Sequence, residues 1–298
     1  MTGKLILIST PIGNLGDLPP RAVDTLRACA LICCEDTRHS GKLFSHAGVS
    51  GVRLAVANEH TELARTDEVL GLLAAGSDVA VVTDAGTPGI SDPGARLVRA
   101  AVEAGYVVSA VPGPAALVMA LVISGFDSTR FVFEGFLPRS GRERTERIAE
   151  VATERRTIVL YEAPHRVART ITDLGAACGL SRRVALTREL TKLHEEVWRG
   201  TLAGAAVHLT ERAPRGEYVV VVEGAPVADA ADDSVVLAAL HMALAGGADR
   251  RTAIATVMAN TGTTKRRVYD LALTIPRSDV HPPSLCSARR LSDFTHHD

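Results

Sequence analysis

Aromatic residues make up only 4% of this 298-residue sequence, with a single tryptophan. A core so poor in rings must be aliphatic, and Val, Leu and Ala dominate the 46% hydrophobic content, which suits buried parallel strands in an α/β protein. Cysteine is also scarce: Cys29, Cys33, Cys34, Cys178 and Cys286 form no C-x-x-C pair. A disulfide framework is therefore not expected, and a reducing cytoplasm is the natural home. Neither sign of charge prevails. The net charge is −1, so no global attraction to nucleic acid or membrane is implied, and local patches must carry any such binding. No apolar run reaches the ~18–20 residues of a membrane span, and Leu5-Ile6-Leu7-Ile8 is too short for a secretory core. Histidines with metal-ligand spacing are missing, and His194-Glu195-Glu196 has no second histidine at helical spacing, so no metal is expected. G-x-G-x-x-G and a Walker lysine are missing too, which leaves an ordinary dinucleotide or nucleoside triphosphate site poorly supported.

What is present is a stretch around which the chain is organised. The apolar run Val79-Ala80-Val81-Val82 opens into Thr83-Asp84-Ala85-Gly86-Thr87-Pro88-Gly89-Ile90-Ser91-Asp92-Pro93-Gly94. Three glycines permit close backbone approach, two prolines fix the path, and a helical pattern resumes over 96–104. Four similar units accompany it. Strands at 5–9, 30–34, 52–57 and 107–111 end in the polar turns 10–17, 35–39, 58–60 and 112–114, with helices between that stop at Gly48, Gly76 and Gly105. The alternation predicts a parallel sheet with crossover helices, which gathers every strand-to-helix loop at one edge, where open α/β sheets bind ligands. Cys33-Cys34 ends an apolar strand and reads as core. Glu35-Asp36-Thr37-Arg38 reads either as part of the ligand edge or as a local Asp36–Arg38 ion pair shaping the turn.

The pattern restarts after Gly125. Strands are expected at 131–133, 157–161, 183–187 and 218–222, and helices over 142–154, from Glu162 to Gly179, and over 201–212. The arginine-rich opening of this half is interleaved with glutamates at helical spacing, so it is a solvated ion-pair helix or an RNA-binding face. A small, acidic linker leads to three short helices, 234–245, 252–260 and 264–273. Arg250, Arg251, Lys265, Arg266 and Arg267 make this unit basic, and it is either a helix-turn-helix variant or a small stabilising appendage. The expected organisation is thus 1–114, 115–225, 234–275 and a disordered tail, 276–298.

Read in order, the loops form a fingerprint. Thr10-Pro11-Ile12-Gly13-Asn14-Leu15-Gly16-Asp17, Glu35-Asp36-Thr37-Arg38, the stretch 83–94, Pro112-Gly113-Pro114, Glu134-Gly135-Phe136-Leu137-Pro138-Arg139, Tyr161-Glu162-Ala163-Pro164-His165-Arg166 and the stretch 188–196 together resemble one family. It is the bacterial 16S ribosomal RNA (cytidine-2′-O)-methyltransferases, the small-subunit methyltransferase I group of the tetrapyrrole methylase superfamily. The resemblance covers residues 4 to 224 and the C-terminal helical unit. It implies two α/β domains with S-adenosylmethionine in the cleft between them, a homodimer, and methylation of a cytidine ribose 2′-hydroxyl in 16S rRNA of the 30S subunit. By match of motif, Ile12, Gly13, Asp84, Thr87, Gly89, Ile90, Ala115, Ala116 and Tyr161 are expected at the cofactor. Where the superfamily commonly reads Gly-Asp-Pro, this chain has Gly86-Thr87-Pro88, so no carboxylate role carries over to Thr87. Arg38, Arg139, Arg166, Lys265, Arg266 and Arg267 are expected at the RNA. Proton acceptors are sought among Asp36, Asp84, Asp92, Lys192 and Glu195, with Lys192 favoured. Methylation of a tetrapyrrole or protein side chain on the same fold, and a ribosome-binding protein without catalysis, are the alternatives.

Overall fold

The computed structural model describes residues 2–58, 61–226 and 231–276, in two units that divide after Ala225. Glu59 and His60, expected in the third loop, Cys286, and the tail beyond Pro276 apart from that residue itself lie outside the described residues. In the first unit, β1 (Lys4–Ile8), β2 (Leu31–Cys34), β3 (Arg53–Val56), β4 (Val79–Val81) and β5 (Val107–Val111) form one sheet in the order β3-β2-β4-β1-β5. Every pairing in it is parallel. Between the strands run α1 (Pro20–Ala28), α2 (Thr37–His46), α3 (Glu62–Ala74) and α4 (Ala95–Glu103). Leu5, Leu31 and Val79 are buried on one face of this sheet and Ile8, Ile32 and Ala80 on the other, so the strands read as continuous apolar runs. The thiols of Cys29 and Cys33 belong to these cores. Burial pushes them up to about 11 and about 12 respectively, which makes them inert packing groups.

A second sheet follows α5 (Ala116–Ser124). Its strands are β6 (Phe131–Phe136), β7 (Thr157–Glu162), β8 (Arg183–Arg188), β9 (Glu196–Thr201) and β10 (Tyr218–Val222), in the order β6-β7-β10-β8-β9. The helices α6 (Gly141–Thr153), α7 (Pro164–Cys178) and α8 (Leu202–Glu211) cover one face, and α5 packs on the other through Leu117, Ala120 and Leu121 against Val159, Ala185 and Val219. This sheet departs from the parallel pattern. Only β6 and β7 run parallel; β10 is antiparallel to both β7 and β8, and β8 pairs antiparallel with β9. The strand β9 was not expected, because its half-exposed Glu196-Val197-Trp198-Arg199-Gly200-Thr201 lacks the apolar density of the buried strands.

The second unit is three helices, α9 (Asp233–Ala245), α10 (Arg250–Thr261) and α11 (Lys265–Thr274), around a core that includes Val236, Leu240, Ile254 and Val268. Gly262, at φ 64°, closes α10 in the left-handed conformation and starts the short turn into α11. Among the described residues no helix is long and apolar enough to cross a membrane.

Candidate active site

One wall of the site is built by the loops at the carboxyl edge of the first sheet. After β4 the chain doubles back at Gly86, Gly89 and Gly94, with φ of 83°, 82° and 122°, values that glycine adopts without penalty. Its near end is zipped to the first loop, Thr10 N–H donating to Gly86 O at 2.9 Å and Gly86 N–H to Thr10 O at 3.1 Å. Thr87 Oγ1 donates to Pro114 O at 3.2 Å, which ties in the loop after β5. The far end is anchored by Glu62. Gly94 caps α4 without a side chain, and the buried Glu62 Oε1 on α3 takes its place, accepting from the N–H groups of Gly94, Arg96 and Leu97 at 3.1, 2.9 and 3.0 Å.

The other wall comes from the second sheet. Tyr161, next to last in β7, lies edge-on to Phe133 and Phe136, and its hydroxyl accepts from Leu117 N–H at 3.2 Å. Behind it lies a buried polar network. Glu162 accepts from Thr170 Oγ1 at 2.6 Å and pairs with Arg166 at 3.2 Å, while Arg144 reaches Thr170, Asp173 and the Pro138 carbonyl at 3.0 Å or less. These bonds fix Ala163 and Pro164 in the wall. The two walls also meet directly. Asn14 N–H donates to Thr191 Oγ1 at 3.1 Å, and a Cβ on Gly13 would stand 2.3 Å from Lys192 Cγ, so only glycine admits that approach. Glu189 and Thr191, at φ 51° and 65°, are strained non-glycine residues in this contact.

Between the walls lies a cleft of about 420 Å³, a size typical of small-molecule sites. It brings together Ile12, Asp84, Thr87, Ile90, Ala115, Ala116 and Tyr161 of the expected cofactor set, and Asp92. Besides the bonded Glu162, two further carboxylates line it: Glu35, after β2, and Glu217, before β10. Because β10 is antiparallel, its beginning sits beside the ends of β7 and β8, with Tyr218 opposite Glu162 and Arg188. Loop-edge reasoning for a parallel sheet passes over such a position. The concentration of negative charge is reflected in the acids themselves. Burial, then the field of Asp84, raises the Glu35 carboxyl; burial, then Glu35, Asp84 and Glu217, raises Asp92 to about 7. Asp84 Oδ1 is buried in the wall without a hydrogen-bond partner.

Other expected residues stand elsewhere. Asp36 caps α2, accepting from Arg38 N–H at 2.8 Å, and its carboxylate pairs with the Arg38 guanidinium at 3.1 Å, so both are engaged with each other at the surface. Gly89 shapes the turn without lining the cleft, and Gly13 serves the contact between walls. Lys192 is a correction to the base expected there. It is held by Glu189 at 2.9 Å and Glu217 at 2.8 Å, and although burial works against its charge, these two bonds raise the ammonium above its ordinary value. An ammonium so held keeps its proton. Glu195 accepts from Thr191 N–H at 2.6 Å in the same loop. Among the arginines, Arg166 is turned inward to Glu162 and the Leu137 carbonyl, which removes it from the RNA-facing set. Arg139 is exposed after β6. Lys265 and Arg266 are exposed at the start of α11, whereas Arg267 pairs with Asp233 at 2.8 Å. Among the described residues no group of three or more His, Cys, Asp or Glu is placed to hold a metal ion.

Comparison with known proteins agrees with this architecture. The model of the Tetrapyrrole (Corrin/Porphyrin) Methylases matches residues 4–206. A Synechocystis protein named ribosomal RNA small subunit methyltransferase I is 45% identical over 275 residues, covering 92% of this chain and 98% of the relative. A Xylella fastidiosa protein of the same name is 47% identical over 231 residues, covering 77% and 84%. Among solved structures, the methyltransferase CobJ aligns with a TM-score of 0.57 at 19% identity over 76% of this chain and 95% of that one, a likeness of fold alone. On these matches the chain belongs to the ribosomal RNA small subunit methyltransferase I family, within the tetrapyrrole methylases.

Proposed function

We propose that this methyltransferase uses S-adenosylmethionine to methylate a cytidine ribose 2′-hydroxyl of 16S rRNA in the small ribosomal subunit. The observation that carries the reading is the cleft: apolar on Ile12, Ile90, Tyr161 and Leu190, and acidic on Glu35, Asp84, Asp92 and Glu217. A nucleoside that bears a sulfonium and an ammonium fits such a lining, its flat apolar base against the aliphatic wall and its cationic part facing carboxylates. The buried, unpartnered Asp84 Oδ1 is an acceptor awaiting a donor. Ile12, Asp84, Thr87, Ile90, Ala115, Ala116 and Tyr161 would hold the cofactor, which supplies an already activated methyl group. The chain's task is then to align a ribose oxygen with it, exclude water and accept one proton.

An acidic cleft repels phosphate, so the RNA backbone must be held outside it. Exposed Arg139, Lys265 and Arg266 are the basic groups for that role. We read the enzyme as a cytoplasmic homodimer. Helix α5 is apolar on all sides, and its Val118, Met119 and Val122 are exposed, a face that a second copy would cover. The relatives' names favour ribosomal RNA over a tetrapyrrole as substrate. The test is transfer of labelled methyl to 30S particles, with the product mapped by nucleotide. Label on a cytidine ribose is expected; label on a base, a protein or a tetrapyrrole, or no transfer, overturns the reading.

A further inference from the structure

We propose that Asp92 is the catalytic proton acceptor, its carboxylate taking the proton of the ribose 2′-hydroxyl during methyl transfer. This rests on the reading of the cleft as a ribose methylation site. Four other polar candidates are already occupied. Asp36 is spent on the cap of α2 and on Arg38, Lys192 is held as an ammonium by two carboxylates, Glu195 binds backbone in its own loop, and the buried Glu162 is bonded to Thr170 and Arg166. Asp92 faces the cleft, half-buried, and no hydrogen bond or ion pair ties it to the protein among the described residues. Ser91, immediately before it, is held at φ 59°, a strained conformation for a residue with a side chain and one often stored at functional sites.

The groups that face Asp92 come from every element around it: Glu35 after β2, Asp84 after β4, Tyr161 on β7 and Glu217 before β10. One cation touches this set: Lys192 binds Glu217 at 2.8 Å. Burial, then the negative field of Glu35, Asp84 and Glu217, raises the Asp92 carboxyl to about 7 in the free protein, a useful setting for a base that must be ionised yet still take a proton. In the step assigned to it, the 2′-oxygen bonds to the methyl carbon while the carbon–sulfur bond breaks and its electron pair stays on sulfur. The hydroxyl proton passes to the Asp92 carboxylate. One positive charge is lost at sulfur and one negative charge at Asp92, so the cleft's net charge is conserved.

Single-turnover and steady-state methyl transfer to 30S particles, followed from about pH 5 to about pH 9 at saturating cofactor and RNA, tests this. Wild-type kcat should climb with pH and level off once Asp92 is ionised, with the limb lying below the free protein's value of about 7 because the cofactor's positive charge favours the carboxylate. Asp92→Asn should lower kcat by ~10²–10⁴-fold and remove that limb, and Asp92→Glu should restore part of the rate with a displaced limb. Thermal unfolding supplies a reading independent of turnover. A carboxyl raised in the folded state binds its proton more tightly there than in the unfolded chain, so wild-type stability should fall as pH rises from about 4 to about 7. Asp92→Asn should flatten that descent. Normal kcat in Asp92→Asn, or a loss confined to KM for the cofactor, overturns the assignment while leaving the methylation reading intact. A wild-type enzyme that methylates no ribose removes both.

Discussion

The two walls of the cleft are held by different kinds of force. On the first-sheet side the backbone does the work: left-handed glycines, the exchanged Thr10–Gly86 bonds, and one distant carboxylate, Glu62, capping α4. On the second-sheet side, side chains do it, through the chain Arg144–Thr170–Glu162–Arg166 buried beneath Ala163 and Pro164. Five parallel strands deliver their loops to one edge by topology alone, so little else is needed there. A mixed sheet delivers loops to both edges, and those that face the ligand must be fastened individually.

The sharpest way to break this contrast is to cut the second wall's network. Arg144→Ala leaves Asp173 and Thr170 without their buried partner and should cost about 3 kcal/mol, seen in urea unfolding, with cofactor binding weakened through displacement of Ala163. Glu62→Ala is the matching cut on the first wall. It strands three N–H groups at the start of α4 and should cost about 2 kcal/mol; the loop over 84–94 should then lose hydrogen-exchange protection while the second sheet keeps its own. If both variants loosen both walls equally, the contrast fails. Gly13→Ala probes the seam instead. Its methyl meets Lys192 Cγ, Thr191 Oγ1 and the Leu190 carbonyl, so about 1 kcal/mol of overpacking is expected together with a drop in calorimetric cofactor affinity. The smallest effect should come from Asp36→Ala, which loses a surface cap and the pair with Arg38. A slight fall in melting temperature with full methyl transfer is expected, and a large loss of turnover would return Asp36 to the reaction.

How much of this was legible follows from the same contrast. The first sheet announces itself because each apolar run ends in a polar turn and three of its four helices stop at a glycine: Gly48, Gly76 and Gly105 all carry positive φ, at 63°, 84° and 78°. The cleft residues at the ends of β1, β4 and β7 follow from that regularity. Glu217 does not, since it precedes its strand and reaches the cleft only because β10 runs backwards. Glu62 looks like any acid in an amphipathic helix until the fold places it beneath Gly94. Lys192 misleads for the opposite reason: its loop is where the motif implies, but its neighbours Glu189 and Glu217 settle its charge, and only one of them is near in sequence.

The seam between Asn14 and Thr191 joins positions 177 residues apart. Closing so long a loop earns no local reward on the way, so this contact belongs late in folding, after each sheet has formed separately. The cleft therefore exists only in a chain whose two halves are both complete. A ligand that fills it stabilises that state alone, by an amount set by its concentration over its dissociation constant. The unfolding temperature of the first unit should therefore rise with cofactor concentration.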